Sequence, residues 1–377
     1  MPDRTATRPD TFAVIAGGGT AGHLLPGLAI AEALVERGHR KESIVFVGSA
    51  RGIETTVVPE AGFELVALPG RGVERRFSAA ALRAVSGILV AVFEALVLMR
   101  RLRPRVLLVL GGYASVPCVV GSILWRVPMV VAEQNARAGA ANRLAGRFAK
   151  AAAVSFEGTD LPRAVVTGNP VRSEILAVDP ARDRDAARAA LGLPPDRVVI
   201  AAVSGSLGAR RINDAVRSLA SRWSDRSDVA IRHVVGSRDW DEFGSTPLDP
   251  ANARLVYQTV QFEDRMDLLF AAADVVVSRA GGTTVAELAV VGVPSVLVPL
   301  PIAPRDHQTA NARALTEAGA AYLVPDGELD AARLEQVLSP LVEDPDRREE
   351  MARRARSLAR RDAADRVASL LEEHARG

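Results

Sequence analysis

The sequence predicts an α/β protein of two doubly wound domains, each a parallel sheet covered by helical crossovers. Three observations carry the prediction. Short, β-branched, nearly all-apolar runs bounded by Gly or Pro alternate with longer helical patterns along almost the whole chain, which is how strands buried on both faces read. The runs fall into two series, each opening on a strand that feeds a glycine-rich turn. The length, 377 residues, suits two domains with full cores. Alternation selects parallel pairing, because joining parallel neighbours takes a crossover, normally a helix.

The first series of predicted strands is 12–16, 44–48, 65–68, 106–110, 129–132, 152–156 and 164–167. The second is 198–203, 231–235, 255–257, 275–278, 295–298 and 321–324. Gly168-Asn169-Pro170-Val171-Arg172 separates them, which places the first domain at 11–172 and the second at 173–349. Residues 177–195, rich in Asp, Arg, Ala and Pro, read as a linker with a short helix at 184–191 stopped by Gly192. Residues 346–375 read as charged helix with sparse apolar positions (Met351, Leu358, Val367, Leu370, Leu371), packed across the outside. No repeat of fixed 20–50-residue period is present.

Residues 84–99 break the pattern. The segment AVSGILVAVFEALVLM is nearly all apolar, with Glu94 in its middle. Sixteen helical residues span ~24 Å, short of a ~30 Å hydrocarbon core, which argues against a transmembrane span. Arg71, Arg75, Arg76 and Arg83 precede it, and Arg100, Arg101, Arg103 and Arg105 follow. A helix lying in a membrane interface and an ordinary buried crossover helix both fit, and the sequence leaves the two open.

Composition excludes several classes. With 48% apolar residues and a net charge of +2, overall disorder is excluded. A single cysteine, Cys118, excludes a disulfide scaffold, fits a reducing compartment, and reads as a small buried hydrophobe. Residues 1–10 are polar and the first apolar run is too short for a secretory signal. Residues 1–172 carry 21 Lys and Arg against 13 Asp and Glu, a net of +8, while 173–377 carry a net of −6. The basic half suits a membrane leaflet or a phosphorylated substrate. No zinc-finger spacing, RNA-binding motif or basic helix-turn-helix supports nucleic acid as a partner.

Four glycine-rich turns follow predicted strands: Gly17-Gly18-Gly19-Thr20-Ala21-Gly22-His23, Gly111-Gly112-Tyr113-Ala114-Ser115, Ser204-Gly205-Ser206-Leu207-Gly208, and Ser278-Arg279-Ala280-Gly281-Gly282-Thr283-Thr284. Small residues let backbone approach a ligand, and the helix that follows aims its N–H groups and positive end there, so each is a candidate anion seat. Gly17, Gly19 and Gly22 match a dinucleotide fingerprint by spacing. That fingerprint also needs an acid ending the second strand, where this chain has Phe46-Val47-Gly48-Ser49. No Walker pattern is present, and no Asp-x-Asp metal triplet stands at a strand end, so no cofactor and no protein-held metal is expected. His23 reads either as a reactive imidazole or as a hydrogen-bonded cap. Ligands of open parallel sheets bind outside the carboxyl ends of strands, so two domains presenting such ends would hold a phosphorylated ligand.

In this order and spacing, GGTAGHLLPGLAIAEAL at 18–34, GGYASVP at 111–117, EQN at 133–135, TGNPVR at 167–172, GSLGAR at 205–210, RAGGTTVAE at 279–287 and HQTANA at 307–312 resemble the MurG family. These are the undecaprenyl-diphospho-muramoylpentapeptide β-N-acetylglucosaminyltransferases of peptidoglycan synthesis. The resemblance covers about 12–320. It implies the GT-B architecture: two facing Rossmann-like domains with a cleft between them, and a C-terminal helix, about 350–377, returning to the first. It implies that Thr20, Ala21 and Gly22 lie against the donor sugar and diphosphate, with His23 at the reaction centre. Asn135 would contact GlcNAc, Arg172 and Ser206 the diphosphate, and Gln308 the GlcNAc hydroxyls. Gly282, Thr283 and Thr284 through Glu287 would hold the nucleoside diphosphate, with Glu287 on the ribose. Gly111, Gly112, Tyr113 and Ser115 would seat the acceptor pyrophosphate. Three positions depart from the family pattern: Ala21 for Gly, Ser204-Gly205 for a Gly-Gly pair, and Glu263 near uracil for an aliphatic residue.

The resemblance further implies an inverting transfer of GlcNAc from UDP-GlcNAc to the muramoyl O4 of lipid I, giving lipid II. The implied location is peripheral, at the anionic cytoplasmic face of the cell membrane, with cell-wall assembly proteins as further partners. His23 is the candidate general base, and Asn135 or Glu133 could orient it. A UDP-GlcNAc 2-epimerase or another glycolipid transferase shares the fold, but an epimerase needs neither the 71–105 segment nor an acceptor turn. A non-catalytic UDP-sugar sensor could dispense with His23 and Asn135, and both are present.

Overall fold

The computed structural model of the protein describes residues 10–50, 52–68, 79–244 and 254–377, and side chains throughout these except at 79–89. The flanking arginines Arg71, Arg75 and Arg76 and the side chain of Arg83 lie outside the described residues. The chain divides into two compact units. The first runs to Arg172 and takes back Arg360–Gly377; the second is Ser173–Ala359.

The first unit holds β1 Ala13–Gly17, β2 Ile44–Ser49, β3 Glu64–Leu68, β4 Val106–Gly111, β5 Met129–Glu133, β6 Ala151–Val154 and β7 Ala164–Val166. They form one sheet in the order β3-β2-β1-β4-β5-β6-β7 with every pair parallel. Its crossover helices are α1 Ala21–Glu36, α2 Glu54–Glu60, α3 Ala79–Leu102, α4 Val116–Leu124 and α5 Ala140–Gly146. Successive strand residues serve opposite faces, as a period of two requires. Ile15, Phe46, Leu108 and Val130 pack with α1 on one side, and Val14, Val45, Leu107 and Val131 pack with α3 and α4 on the other.

The second unit repeats the plan. Its strands β8 Val198–Val203, β9 Val229–Val234, β10 Val256–Val260, β11 Val275–Ser278, β12 Ser295–Leu297 and β13 Ala321–Leu323 pair in parallel in the order β10-β9-β8-β11-β12-β13. Its helices are α6 Ser173–Leu176, α7 Pro180–Ala190, α8 Arg210–Arg222, α9 Trp240–Phe243, α10 Met266–Ala272, α11 Gly282–Val291, α12 His307–Glu317, α13 Ala331–Glu343 and α14 Pro345–Ser357. The buried stripe Ile212, Val216 and Leu219 of α8 meets Ile200, Val275 and Val277 of the sheet.

All thirteen predicted strands form, β8 and β11 with the predicted bounds and the others with shifted ends. β10 extends to Val260, beyond the predicted 255–257, because it is an edge strand whose half-exposed Gln258 and Thr259 fail a continuous-apolar test. The stretch 177–195 is not a linker. Asp179 caps α7 by accepting the Ala181 amide, and α7 packs in the second unit. Its Arg188 is buried, donating to the Ala272 and Pro195 carbonyls and pairing with Asp274 at 2.7 Å. The charged tail forms two helices around a break. α14 packs on α11, whereas α15, Ala363–His374, lays Val367, Ala368 and Leu371 into the core beside Leu28 and Ile30. That end returns to the first unit, as the resemblance implies: one stripe is buried against α1 and the sheet, the other face stays exposed, and Arg37 fastens it to Asp365 and Glu372.

No helix among the described residues is long and apolar enough to cross a membrane. α3 buries Ala91, Ala95, Leu98, Met99 and Leu102 against the sheet, while Val90, Phe93 and Val97 are exposed, Phe93 at 68%. The buried face is that of an ordinary crossover helix, and the exposed face leaves apolar side chains uncovered. The exposed apolar surface continues through Val120, Ile123, Leu124 and Trp125 at α4 and Leu144 and Phe148 at α5. Arg100 stacks over Trp125, 5.5 Å from its ring centroid. Cys118 is fully buried, and burial pushes its thiol up to about 12.

Candidate active site

In the first sheet β1 and β4 are neighbours although crossovers leave them on opposite sides, so the turn after each lies at the topological switch point. The two turns touch. Gly112 has φ +76°, and a Cβ there would lie 3.0 Å from the Gly18 carbonyl oxygen and 3.9 Å from Nδ1 of His23. Ser115 Oγ donates to the Gly112 carbonyl at 2.9 Å and closes the second turn. Tyr113 OH donates to Ser49 Oγ at 2.9 Å, tying that turn to the end of β2.

His23 is the third residue of α1, half-buried, after Thr20 at the N-cap. Its Nδ1 lies 3.2 Å from Thr20 Oγ1. The tautomer that donates Nδ1–H to this hydroxyl puts the ring's lone pair on Nε2, the nitrogen suited to take a proton. Gly19, Thr20 and Ala21 are exposed at the mouth of the turn.

Glu133 does not take the part expected of it. Its Oε1 accepts the Asn135 amide at 3.0 Å and Asn135 Nδ2 at 3.1 Å, and Oε2 accepts the Gly139 amide and Asn142 Nδ2, both at 2.9 Å. The carboxylate is saturated by these four donors and orients Asn135 and the loop after β5, not His23. Arg172 lies six residues beyond the end of β7, at the close of the first unit.

In the second sheet the switch point lies between β8 and β11. The turn after β8 is strapped down: Ser237 donates to the Ser206 carbonyl through both its amide and its hydroxyl at 3.0 Å, and the Arg238 amide donates to the Leu207 carbonyl at 3.2 Å. The Ser206 side chain is exposed. After β11, Gly281 caps α11 and Gly282, Thr283 and Thr284 make its first turn, which carries no acid. Such an end favours an anion. Glu287 stands one turn further on, nearly buried. Gln308 Oε1 accepts the Ala280 amide at 3.2 Å and the Leu300 amide at 2.9 Å, so its amide nitrogen is the part left to meet a ligand. Asn311 Nδ2 donates to the Ala280 carbonyl at 3.0 Å from beneath. Two successive residues before α12, Arg305 (φ 58°) and Asp306 (φ 53°), are left-handed, a strained turn that leads directly into His307 and Gln308.

Glu263, the departure noted near the base, is held away from such a role. Arg232 donates to its Oε2 through Nε at 2.9 Å and Nη2 at 2.7 Å, and the Arg265 amide donates to Oε1. The sequence reading missed a buried network beneath the β8 turn. Asn213 Oδ1 accepts Ser204 Oγ at 2.5 Å and His233 Nε2 at 2.9 Å, while Asn213 Nδ2 donates to Asp239 at 2.9 Å. Tyr257 OH lies 2.8 Å from His233 Nδ1. Burial, aided by Arg217, pushes the His233 imidazole down to about 4, so it is neutral and donates from Nε2. A signal was present: an Asn on the apolar stripe of α8 and a His inside an apolar strand need partners.

The profile of the glycosyltransferase family 28 N-terminal domain matches residues 13–154, and that of its C-terminal domain matches 199–367. A curated relative from Acidothermus cellulolyticus is 40% identical over 362 residues, which is 96% of this chain and 97% of the relative. It is named UDP-N-acetylglucosamine--N-acetylmuramyl-(pentapeptide) pyrophosphoryl-undecaprenol N-acetylglucosamine transferase. The crystal structure of Acinetobacter baumannii MurG superposes with a TM-score of 0.75 at 27% identity, covering 96% of this chain and 99% of that one. A UDP-N-acetylglucosamine 2-epimerase structure from Listeria monocytogenes, described as putative, shares the fold at 16% identity, with a TM-score of 0.66 over 97% of this chain and 96% of its own.

Proposed function

The chain belongs to glycosyltransferase family 28, through both its domains, and on that premise we propose that it transfers GlcNAc from UDP-GlcNAc to the muramoyl O4 of lipid I, forming lipid II. The observation that carries the reading is the placement of the motif residues: each sheet's switch point is built from two of the four glycine turns.

The second unit takes the nucleotide. The carboxylate of Glu287 suits the paired ribose hydroxyls, the first turn of α11 suits the diphosphate, and Gln308 Nε2 suits a GlcNAc hydroxyl. Ser206 serves the diphosphate, as does Arg172, the last residue of the first unit before the second begins. The first unit takes the acceptor. Gly111, Gly112, Tyr113 and Ser115 seat its pyrophosphate, and Thr20, Ala21, Gly22 and Asn135 face the donor sugar. His23 Nε2 takes the O4 proton as O4 bonds to the anomeric carbon and the bond from that carbon to the β-phosphate oxygen breaks. One displacement inverts the α-linked donor to a β-linked product. The charge left on UDP is met by the α11 terminus, contributing ~0.3–2 kcal/mol, and by hydroxyl and guanidinium donors, each able to supply ~3–4 kcal/mol in a dry site.

The exposed apolar surface of α3, α4 and α5, edged by Arg100, Arg101, Arg126, Arg143 and Arg147, supports peripheral binding to the anionic cytoplasmic leaflet, where the lipid-linked acceptor lies. The test of function is transfer of labelled GlcNAc from UDP-GlcNAc to a short-chain lipid I analogue. A β-linked disaccharide product is expected. UDP-GlcNAc consumed equally with and without the acceptor, or converted to its 2-epimer, overturns the assignment.

A further inference from the structure

Glu54, in the first turn of α2, has no exposed surface, and its carboxylate lies directly beneath the β1–α1 turn. Oε1 accepts the Ser49 amide at 2.7 Å and Oε2 accepts the Gly19 amide at 3.2 Å. No cation among the described residues pairs with it. Burying a carboxylate on two backbone amides alone is costly, and an apolar residue would fill the space more cheaply. The surroundings are nevertheless shaped around it: a Cβ on Gly18 (φ +150°) would fall 2.5 Å from Oε1, and one on Gly48 would fall 2.8 Å from its Cγ. Both amides lead to the site. Gly19 precedes Thr20, whose hydroxyl meets His23, and Ser49 receives the Tyr113 hydroxyl of the second turn. The acid missing from the end of β2 in the sequence is thus supplied in space by Glu54, but it faces the glycine turn instead of a ribose.

We propose that Glu54 is a positioning residue for the transfer step: it holds Gly19 and Ser49, and through them Thr20 with His23 and Tyr113, in a single arrangement. This rests on the reading of His23 as the base. Glu54→Gln keeps the volume but sets an NH2 group against one backbone donor. In the full chain, kcat is expected to fall about tenfold or more while KM for UDP-GlcNAc stays within about twofold. In a His23→Ala background, the same substitution should lower the residual single-turnover rate by less than about twofold, because its effect passes through the missing imidazole. A kcat loss smaller than about tenfold, or equal losses in the two backgrounds, overturns the proposal. Melting temperature and UDP-binding stoichiometry report folding. If Glu54→Gln fails these, Gly18→Ala, whose new methyl displaces the same carboxylate, carries the same expectations. A wild-type chain that transfers nothing overturns the proposed function and leaves a distinct signature from either result.

Discussion

His23 illustrates how little a residue's identity says without its neighbours. The imidazole is legible in the sequence, standing in a glycine turn, but Thr20 as its partner and Glu54 beneath the turn come from contacts 3 and 35 residues apart. His233 is the opposite case, a histidine that is wholly interior and held neutral by burial at about 4. Unfolded, it titrates near ~6.5, so as pH falls the unfolded chain gains its proton first. Its contribution to stability is therefore whole above about pH 6.5 and is lost on the way down to about 4, a loss of up to about 3 kcal/mol. Urea denaturation at pH 7.5 and 4.5 checks this. The wild type should lose more stability between the two pH values than His233→Gln, and parallel losses would refute the assignment. The sequence reading passed over His233 because apolar strand patterning absorbs one polar residue without a break, whereas its cost appears only with Asn213 and Tyr257 in place.

Elements were more legible than residues. Parallel strands buried on both faces leave a run of Val, Ile, Leu and Ala that little else imitates, and the four glycine turns marked their carboxyl ends. Legibility failed where another force competes with apolar patterning: at the edge strand β10, and in α7, whose capping Asp179 and buried Arg188 look like linker composition. α3 shows two faces that a linear reading can only average. If its exposed face meets lipid, Phe93→Ser forfeits ~1.5–3 kcal/mol of burial, tenfold or more in partitioning. Sedimentation with vesicles containing anionic lipid should show that drop for the variant with unchanged turnover on a soluble acceptor. Equal sedimentation of variant and wild type would remove α3 from the membrane face.

At the level of the whole chain, strand order decides function, and strand order is invisible to a reading of runs and turns. Only the pairing of β1 with β4 and of β8 with β11 turns four separate glycine loops into two sites, one in each unit. The second site carries the carboxylate and helix terminus suited to a nucleoside diphosphate, while the first carries the imidazole and a further anion turn. The proposed function divides the labour, with nucleotide affinity in one unit and proton transfer in the other. Glu287→Gln removes one charged acceptor for ribose hydroxyls, worth ~1.5–3 kcal/mol, or about tenfold to a hundredfold in affinity. The most direct measurement is a UDP titration by calorimetry of the wild type, Glu287→Gln and His23→Ala, paired with GlcNAc turnover for each. Glu287→Gln is expected to weaken UDP at least about tenfold, while His23→Ala should bind UDP as the wild type does and turn over at less than about a tenth of its rate. UDP affinity that falls as far in His23→Ala as in Glu287→Gln, or turnover that survives the loss of His23, would contradict it.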